Sequence, residues 1–330
     1  MSDPFEAISL ENIRRCRNDL GDAIVRTPVL QWRGEHCRGL TEEGTEVWLK
    51  LELFQHTGTF KARGALNNVR HLSAESKRNG ITAVSAGNHA VAAAFAAREA
   101  GVTAKVVMIK TANIARVQRA LSYGAEVVFA DDGPSAFRLV DEISRSEGRA
   151  MVHPFEGPFV SQGTGTLGLE FAEQVEGLDA VIIAIGGGGL CSGAAAAIKQ
   201  IAPRCQVFGV EPEGADSMRR SFEAGKPVTM SQLNTIADSL APPMSLPFGF
   251  AVCRRYVDEI VTVSDQEIRG AMRALFEDLK LALEPAGAAA TAALLGPLRQ
   301  RLAGKKVGVV VCGSNIDLET FAGHIRLANP

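Results

Sequence analysis

The chain has 330 residues, of which 46% are hydrophobic and 22% are charged, a balance typical of a folded globular protein. Its 35 basic and 37 acidic residues give a formal net charge of −2, so no excess of positive charge indicates a nucleic-acid partner. The apolar runs are too short to span a bilayer, and the N-terminus lacks the apolar segment of a secretory signal. The six cysteines have neither a CxxC nor a zinc-site spacing, so we expect a cytoplasmic protein that binds no membrane.

Short β-branched segments alternate with alanine-rich and charged segments of helical spacing along the whole chain. The predicted strands, in chain order, are 47–51, 82–84, 105–109, 126–129, 150–152, 181–185, 207–210, 260–263 and 307–311. The clearest predicted helices are 91–100, 114–123, 137–147, 194–201 and 266–279. Buried strands that alternate with helices predict an α/β fold with parallel sheets flanked by helices.

Three of the predicted strands run directly into polar or glycine-rich turns, at 85–88, 186–189 and 312–315. In open parallel sheets, ligands bind beyond the carboxyl ends of the strands. The three turns therefore predict one shared ligand site.

The glycine run 186–189, followed by Leu190, lies between a predicted strand and a predicted helix. Backbone N–H groups at a helix N-terminus attract anions, so this turn is a candidate phosphate site, although a tight packing turn is the alternative. A second glycine pattern, 163–168, matches GxGxxG. No predicted strand directly precedes it and no acidic residue follows at the required distance, which argues against a dinucleotide fingerprint.

Lys61 follows a Gly/Thr turn, between Phe60 and Ala62, at the expected start of a helix. Burial and the positive end of the helix dipole would both disfavour its charged form. Such a lysine is a candidate nucleophile for a carbonyl group. Taken alone, the spacing fits an ordinary solvated lysine better.

A reactive lysine, a phosphate-binding glycine turn and polar turns at two other strand ends occur together in enzymes that use pyridoxal phosphate. The chain resembles the fold-type II pyridoxal-phosphate enzymes, which are similar to the tryptophan synthase β chain, and within them the serine/threonine dehydratase and serine racemase group. The resemblance extends from Thr27 to Asp317. It rests on five motifs in order: 59–65, 85–90, 186–190, 284–287 and 312–315.

The resemblance implies roles for individual residues. Lys61 would hold the cofactor as a Schiff base and later move the Cα proton of the substrate. The cofactor contacts would be Phe60, Lys61, Asn88, Gly186, Gly187, Gly188, Gly189, Leu190, Glu284, Cys312 and Ser314. The substrate carboxylate would be held by the loop Ser85, Ala86, Gly87, Asn88 and His89. Cys312 would face the pyridine nitrogen, and a thiol there leaves that nitrogen mostly neutral, which favours elimination over transamination.

Two departures from the family pattern bear on activity. Serine racemases of the mammalian type carry a serine at the position of Ala86, and alanine cannot transfer a proton, so we expect dehydration to dominate. Relatives that bind a divalent cation use residues matching Glu211 and Ala215, but Ser217 replaces their final acidic ligand. Because hard cations prefer charged oxygens, a metal here is an open alternative to a solvated acidic loop.

We therefore expect two domains. A large cofactor-binding domain would comprise residues 1–73 and 158–330, and a small mobile domain, 80–157, would carry the substrate loop. The expected enzyme converts a β-hydroxy amino acid, by default L-threonine or L-serine, to a 2-oxo acid and ammonia, and forms a homodimer or homotetramer.

Several alternatives stay open. The substrate could be hydroxyaspartate or an intermediate of ectoine catabolism, and the activity could be that of a serine racemase. A β-replacement synthase of the cysteine-synthase type is disfavoured, since its Ser-Gly-Asn-Thr-Gly type loop is not matched at 86–90. A nucleotide-binding protein without a covalent cofactor is the last alternative.

Overall fold

The computed structural model describes residues 3–85 and 87–328, apart from the side chain of His36. The strands are β1 Val29–Trp32, β2 Glu46–Leu51, β3 Ile81–Val84, β4 Ala104–Ile109, β5 Glu126–Ala130, β6 Ala150–Met151, β7 Ala180–Ala184, β8 Gln206–Pro212, β9 Glu259–Val263 and β10 Lys306–Val311. The helices are α1 Pro4–Ala7, α2 Leu10–Leu20, α3 Glu35–Leu40, α4 Lys61–Arg70, α5 Ala74–Asn79, α6 Asn88–Glu99, α7 Ile114–Ser122, α8 Gly133–Glu147, α9 Pro158–Gln174, α10 Gly189–Ile201, α11 Ser217–Ala224, α12 Pro247–Tyr256, α13 Asp265–Leu279, α14 Pro285–Leu295 and α15 Leu318–Arg326.

The strands form two sheets. One has six strands in the order β1-β2-β10-β7-β8-β9, and the other has four in the order β5-β4-β3-β6. Every strand pair is parallel except β1 with β2. The predicted α/β class is confirmed, and each predicted strand is present.

Strand β1 was not predicted from the sequence. It is a four-residue edge strand of mixed exposure, paired antiparallel with β2 from Val29 opposite Lys50 to Trp32 opposite Val47. Its four residues are too few to show a clear apolar pattern in the sequence. As an edge strand it pairs only with β2, which leaves its residues of mixed exposure.

The strands of the four-stranded sheet all lie between residues 81 and 151, and those of the six-stranded sheet come from 29–51 and 180–311. This distribution is compatible with the predicted division into 1–73 with 158–330 and 80–157. The two-domain organisation itself stays a prediction.

Alanine-rich helices pack against both sheets. Nearly every residue of α6, α10 and α14 is buried, which explains why these helices carry small apolar residues on all faces. No helix in the described ranges is both long and apolar enough to cross a membrane.

The glycine pattern at 163–168 lies inside helix α9. A side chain at Gly163 would lie 2.5 Å from the carbonyl oxygen of Arg63 in α4, and one at Gly168 would overlap the backbone of Ala194 in α10. These glycines therefore let three helices pack closely. Their place inside a helix supports the sequence argument against a dinucleotide fingerprint, in which a strand directly precedes the glycines.

A fully buried cluster of charges joins β2, α4 and α9. Arg63 pairs with Glu52 at 2.8 Å and with Glu170 at 2.7 Å, and Lys50 pairs with Glu170 at 2.8 Å. Because each charge has a hydrogen-bonded partner of opposite sign, the cluster avoids the large cost of an unpaired buried ion. It also fixes the start of α4, the turn that carries Lys61.

Candidate active site

A cavity of about 670 Å³ lies beyond the carboxyl ends of β3, β7 and β10. The three turns that the sequence singled out meet there. The predicted site residues that line it are Phe60, Lys61, Ser85, Gly87, Asn88, His89, Gly186, Gly187, Gly188, Gly189, Leu190, Glu284 and Cys312. Ala86 lies outside the described residues.

Lys61 is the first residue of α4 and is partly buried in the cavity wall. Its Nζ donates a hydrogen bond to the carbonyl oxygen of Pro154 at 3.1 Å and lies 5.2 Å from the centre of the Phe60 ring. Burial lowers the pKa of Lys61 to about 8, against the opposing influence of Cys312 and Glu284. A pKa of about 8 leaves roughly a tenth of this amine neutral at pH 7, and the neutral amine is able to attack a carbonyl carbon.

The glycine turn 186–189 connects β7 to α10. Gly188 has a φ of +97°, a conformation that glycine adopts without strain. A side chain at Gly187 would overlap the ring of Phe155, and one at Gly189 would lie 2.7 Å from the Phe155 Cα. The turn thus has no room for side chains at 187 and 189, and it lines the cavity at the start of α10, where the first N–H groups lack partners within the helix. This arrangement fits a phosphate group.

Asn88 is held by a buried hydrogen-bond network at the start of α6. Its Nδ2 donates to Glu284 Oε1 at 2.7 Å and to Ser239 Oγ at 3.1 Å, while its Oδ1 accepts from Asn315 Nδ2 at 2.8 Å. Burial raises the pKa of Glu284 to about 7, although the Arg116 guanidinium acts in the opposite direction. The network orients the Asn88 amide, the group that the resemblance assigns to the cofactor ring oxygen.

Two histidines organise the chain segment beside Lys61. His89 Nε2 donates to the carbonyl oxygen of Val152 at 2.7 Å, and His153 Nδ1 accepts from the backbone N–H groups of Phe155 and Glu156. Burial lowers the pKa of His89 to about 3 and that of His153 to about 4, so both rings are neutral. Because the His89 ring points to Val152, any contact with a substrate carboxylate would come from its backbone N–H.

Cys312 follows β10 directly, and its thiol donates to the carbonyl oxygen of Ala286 at 3.3 Å. Burial raises the pKa of this thiol far above its ordinary value, so the group stays neutral. Ser314 is not part of the cavity wall in the described structure, and its backbone N–H donates to the carbonyl oxygen of Gly58. Its predicted contact with the cofactor stays a prediction.

Backbone hydrogen bonds and arginine pairs organise the loop that carries the possible metal ligands. Both carboxylate oxygens of the buried Glu211 accept backbone N–H groups, from Met218 at 2.8 Å and Arg219 at 2.7 Å. Asp216 is paired with Arg219 and Arg220. Within 3–85 and 87–328 no group of three metal-binding side chains occurs, and Ser217 stands where an acidic ligand would be needed beside Glu211 and the Ala215 carbonyl. The donor set does not fit a divalent cation.

Sequence reasoning missed Arg116, which lines the cavity and pairs with Glu284 and Asp238. It lies on the amphipathic helix α7, where an arginine normally faces solvent. Its partners are more than 120 positions away in the chain, so no local signal could have indicated it.

The comparisons with known proteins agree with this geometry. The model of the family described as "Pyridoxal-phosphate dependent enzyme" matches residues 20–313. The chain is 57% identical to the phenylserine dehydratase of Ralstonia pickettii over 86% of this chain and 87% of that protein. It is 39% identical to the catabolic L-threonine dehydratase TdcB of Escherichia coli (strain K12) over 94% of each chain.

The structure of maize serine racemase superimposes with a TM-score of 0.90 at 34% identity and covers 97% of each chain. The predicted fold type and the dependence on pyridoxal phosphate are thereby confirmed. The chain belongs to the pyridoxal-phosphate-dependent enzyme family of fold type II.

Proposed function

We propose that this enzyme is a dehydratase for β-hydroxy amino acids and that its preferred substrate carries an aromatic group on the β-carbon. The products would be a 2-oxo acid and ammonia. One water molecule is released in the elimination and one is consumed in the hydrolysis. The products together therefore have the composition of the substrate, and the reaction needs no oxidant. The observation that carries the proposal is a lysine of lowered pKa in a cavity whose mouth exposes large apolar side chains.

Pyridoxal phosphate, when bound, withdraws electrons from the Cα of an amino acid. Lys61 would hold it covalently, and the glycine turn 186–189 would bind its phosphate. The amine of Lys61 can accept the Cα proton, because its pKa of about 8 lies close to physiological pH. The neutral Cys312 thiol would contact the ring nitrogen without holding a proton on it.

The substrate carboxylate would be held by the loop Ser85 to His89. This loop leads into the N-terminus of α6, whose first N–H groups have no partner within the helix and favour an anion. Closure of the segment 80–157 over a bound amino acid would exclude water. That movement rests on the domain division, which we retain as a proposal.

The aromatic preference follows from the cavity wall. Phe137 on α8 and Leu233 line the cavity, and they are 48% and 38% exposed. A substrate ring could cover this apolar surface, whereas the methyl group of threonine is too small to do so. The 57% identity to a phenylserine dehydratase supports the same choice.

Hydroxyaspartate fits less well. Its second carboxylate would need a cation, and among the described residues of the cavity wall the lysine and arginine side chains are those of Lys61 and Arg116. The first would hold the cofactor, and the second is already paired with Asp238 and Glu284.

A substrate series tests this proposal. Ammonia release would be measured with L-threo-phenylserine, L-threonine, L-serine and hydroxyaspartate. We expect kcat/KM for phenylserine to exceed that for threonine by at least about tenfold, or about 1.4 kcal/mol. Phe137→Ala should reduce the ratio. Phe129→Ala is the matched control, since Phe129 is equally exposed at 48% but lies outside the cavity wall.

Equal or faster turnover of threonine would contradict the aromatic preference. Release of ammonia from none of these compounds would contradict the dehydratase assignment. D-Serine formed from L-serine as fast as pyruvate would favour the racemase alternative.

We also retain the proposals of a cytoplasmic location and of a homodimer or homotetramer. All six cysteines are free and buried in the described structure, which is compatible with a reducing compartment. Size-exclusion chromatography with light scattering would establish the oligomeric state.

A further inference from the structure

Helix α7 carries one buried charge that faces the cavity. Arg116 lies in the first turn of this helix, and its side chain is 7% exposed. A buried arginine is tolerated only where its donors are satisfied by acceptors or opposite charges. The acceptors that the Arg116 guanidinium binds therefore indicate its role.

The guanidinium makes three strong contacts. Its Nη1 donates to Asp238 Oδ2 at 2.6 Å, its Nη2 donates to Glu284 Oε2 at 3.0 Å, and its Nε donates to the carbonyl oxygen of Asn315 at 3.0 Å. A longer contact of 3.4 Å joins Nη2 to Asp238 Oδ1. Four of the five N–H groups are thus occupied, which leaves little capacity to bind a substrate carboxylate directly.

These contacts connect the two sheets. Arg116 belongs to the helix between β4 and β5 of the four-stranded sheet. Glu284 directly precedes α14, a helix that packs against the six-stranded sheet, and Asn315 follows β10, a strand of that sheet. A single side chain therefore ties the elements on both sides of the cavity.

Arg116 also supports the loop that precedes α6. A Cβ added to Gly87 would lie 2.5 Å from Arg116 Nη1 and 2.9 Å from its Cδ. The backbone at Gly87 thus packs closely against the Arg116 side chain, and a residue with a Cβ atom could not come so near.

We infer that Arg116 is a positioning residue that sets the substrate loop through Gly87 and the Asn88 amide through Glu284. The inference rests on the proposed function of the cavity, but it concerns a residue to which the sequence motifs assign no role. Arg116 acts through its neighbours and does not touch the reacting atoms.

The contacts that link Arg116 to Glu284 and Glu284 to Asn88 predict a measurable change in the pKa of Glu284 when Arg116 is replaced. Glu284 is faced by Arg116 and Asn88, by the carboxylate of Asp238, and by Lys61 and Cys312 across the cavity. Removal of the guanidinium leaves two carboxylates close together with no paired cation. Protonation of Glu284 then becomes easier, and its pKa rises from about 7.

The test compares Arg116→Gln and Arg116→Lys with the parent holoenzyme. Two quantities would be measured: kcat/KM for the best substrate, and the pH titration of the bound cofactor's absorption and fluorescence without substrate. Arg301→Gln is the matched control, because it breaks an exposed ion pair with Glu259 far from the cavity wall.

We expect Arg116→Gln to lower kcat/KM at least about tenfold and to move the titration midpoint of the cofactor spectrum upward by a measurable fraction of a pH unit. Arg116→Lys should recover part of both effects, since it restores the charge but not the forked geometry. Arg301→Gln should change neither quantity.

A folded Arg116→Gln enzyme with parental kcat/KM would overturn the inference. So would a loss of activity with an unchanged cofactor titration, because that pattern indicates a structural role alone. If Arg116→Gln does not fold, Arg116→Lys carries the same test. The cofactor titration is read without substrate, so it stays informative even if the proposed substrate class is wrong.

Discussion

Lys61 and Cys312 show how burial sets the protonation of two groups in the cavity wall. Desolvation lowers the pKa of the ammonium to about 8 and raises that of the thiol far above its ordinary range. Both effects favour the neutral form, because a charge is poorly solvated in this cavity. The site thereby combines a nucleophilic amine with a weak partner for the ring nitrogen.

The lowered pKa of Lys61 predicts how capture of the cofactor by the apoenzyme depends on pH. Only the neutral amine attacks the aldehyde, so the rate should rise by about tenfold per pH unit well below pH 8 and level off above it. Stopped-flow absorbance after mixing apoenzyme with pyridoxal phosphate measures this rate. A rate that keeps rising through pH 9.5 would mean that the Lys61 pKa is not lowered.

A second residue-scale prediction concerns Cys312. Cys312→Asp should keep a proton on the ring nitrogen through its opposite charge, slow elimination by about tenfold or more and increase reprotonation or half-transamination products. Cys312→Ser should change the rate only a few-fold (~2–5), since the partner stays neutral. Product analysis by chiral chromatography distinguishes these outcomes. An Asp variant that binds cofactor and eliminates at the parental rate would exclude Cys312 as the nitrogen partner.

At the scale of single elements, helix α11 organises the loop for which a divalent cation was one alternative. The Glu211 carboxylate accepts the N–H groups of Met218 and Arg219, and Asp216 is paired with the arginines of the same helix. These contacts satisfy the first turn of the helix, which is otherwise short of partners.

Because the oxygens of Glu211 are already bonded, we predict that the enzyme needs no divalent cation. Prolonged dialysis against EDTA should leave the rate of ammonia release and the melting temperature unchanged, and added Mg²⁺ or Ca²⁺ should not increase either. A loss of activity that either ion reverses would show that the loop rearranges to bind a metal.

The same carboxylate gives a prediction for stability. Burial raises the pKa of Glu211 to about 8, above its ordinary value of 4.5. A group whose pKa is raised by folding contributes stability at low pH and loses that contribution as pH rises through the folded-state value. Glu211→Gln cannot ionise, so its melting temperature relative to the parent should increase between pH 6 and pH 9. A constant difference across this range would contradict the raised pKa.

At the scale of the whole molecule, the cavity is defined by both sheets. Its glycine turn, Glu284 and Cys312 belong to the six-stranded part, and the loop that leads to His89 follows β3 of the four-stranded part. The buried cluster around Arg63 fixes the turn of Lys61, and Arg116 links the two parts. Relative movement of these parts would therefore change the site as a unit.

The sequence predicted those features that depend on local pattern. The β-branched strands, the turns at their carboxyl ends, Lys61 and the glycine run are all readable from neighbouring residues. Family resemblance then connected motifs that lie far apart in the chain.

Features that depend on long-range packing were missed. Helix α9 contains three glycines, which disfavour a helix in isolation, but its contacts with α4 and α10 require small residues. Arg116 is an ordinary surface-type residue on an amphipathic pattern until Asp238 and Glu284 are folded against it. The direction of the His89 ring likewise depends on a distant residue, because the ring bonds to the carbonyl oxygen of Val152, 63 positions along the chain.

The account depends above all on Lys61 as the covalent site of the cofactor. The most direct test is reduction of the purified holoenzyme with sodium borohydride, followed by proteolysis and mass spectrometry. We predict that a phosphopyridoxyl group is found on the peptide that contains Lys61 and that Lys61→Ala carries none and releases no ammonia. An adduct on a different lysine, or a parent protein with no adduct at all, would contradict the account.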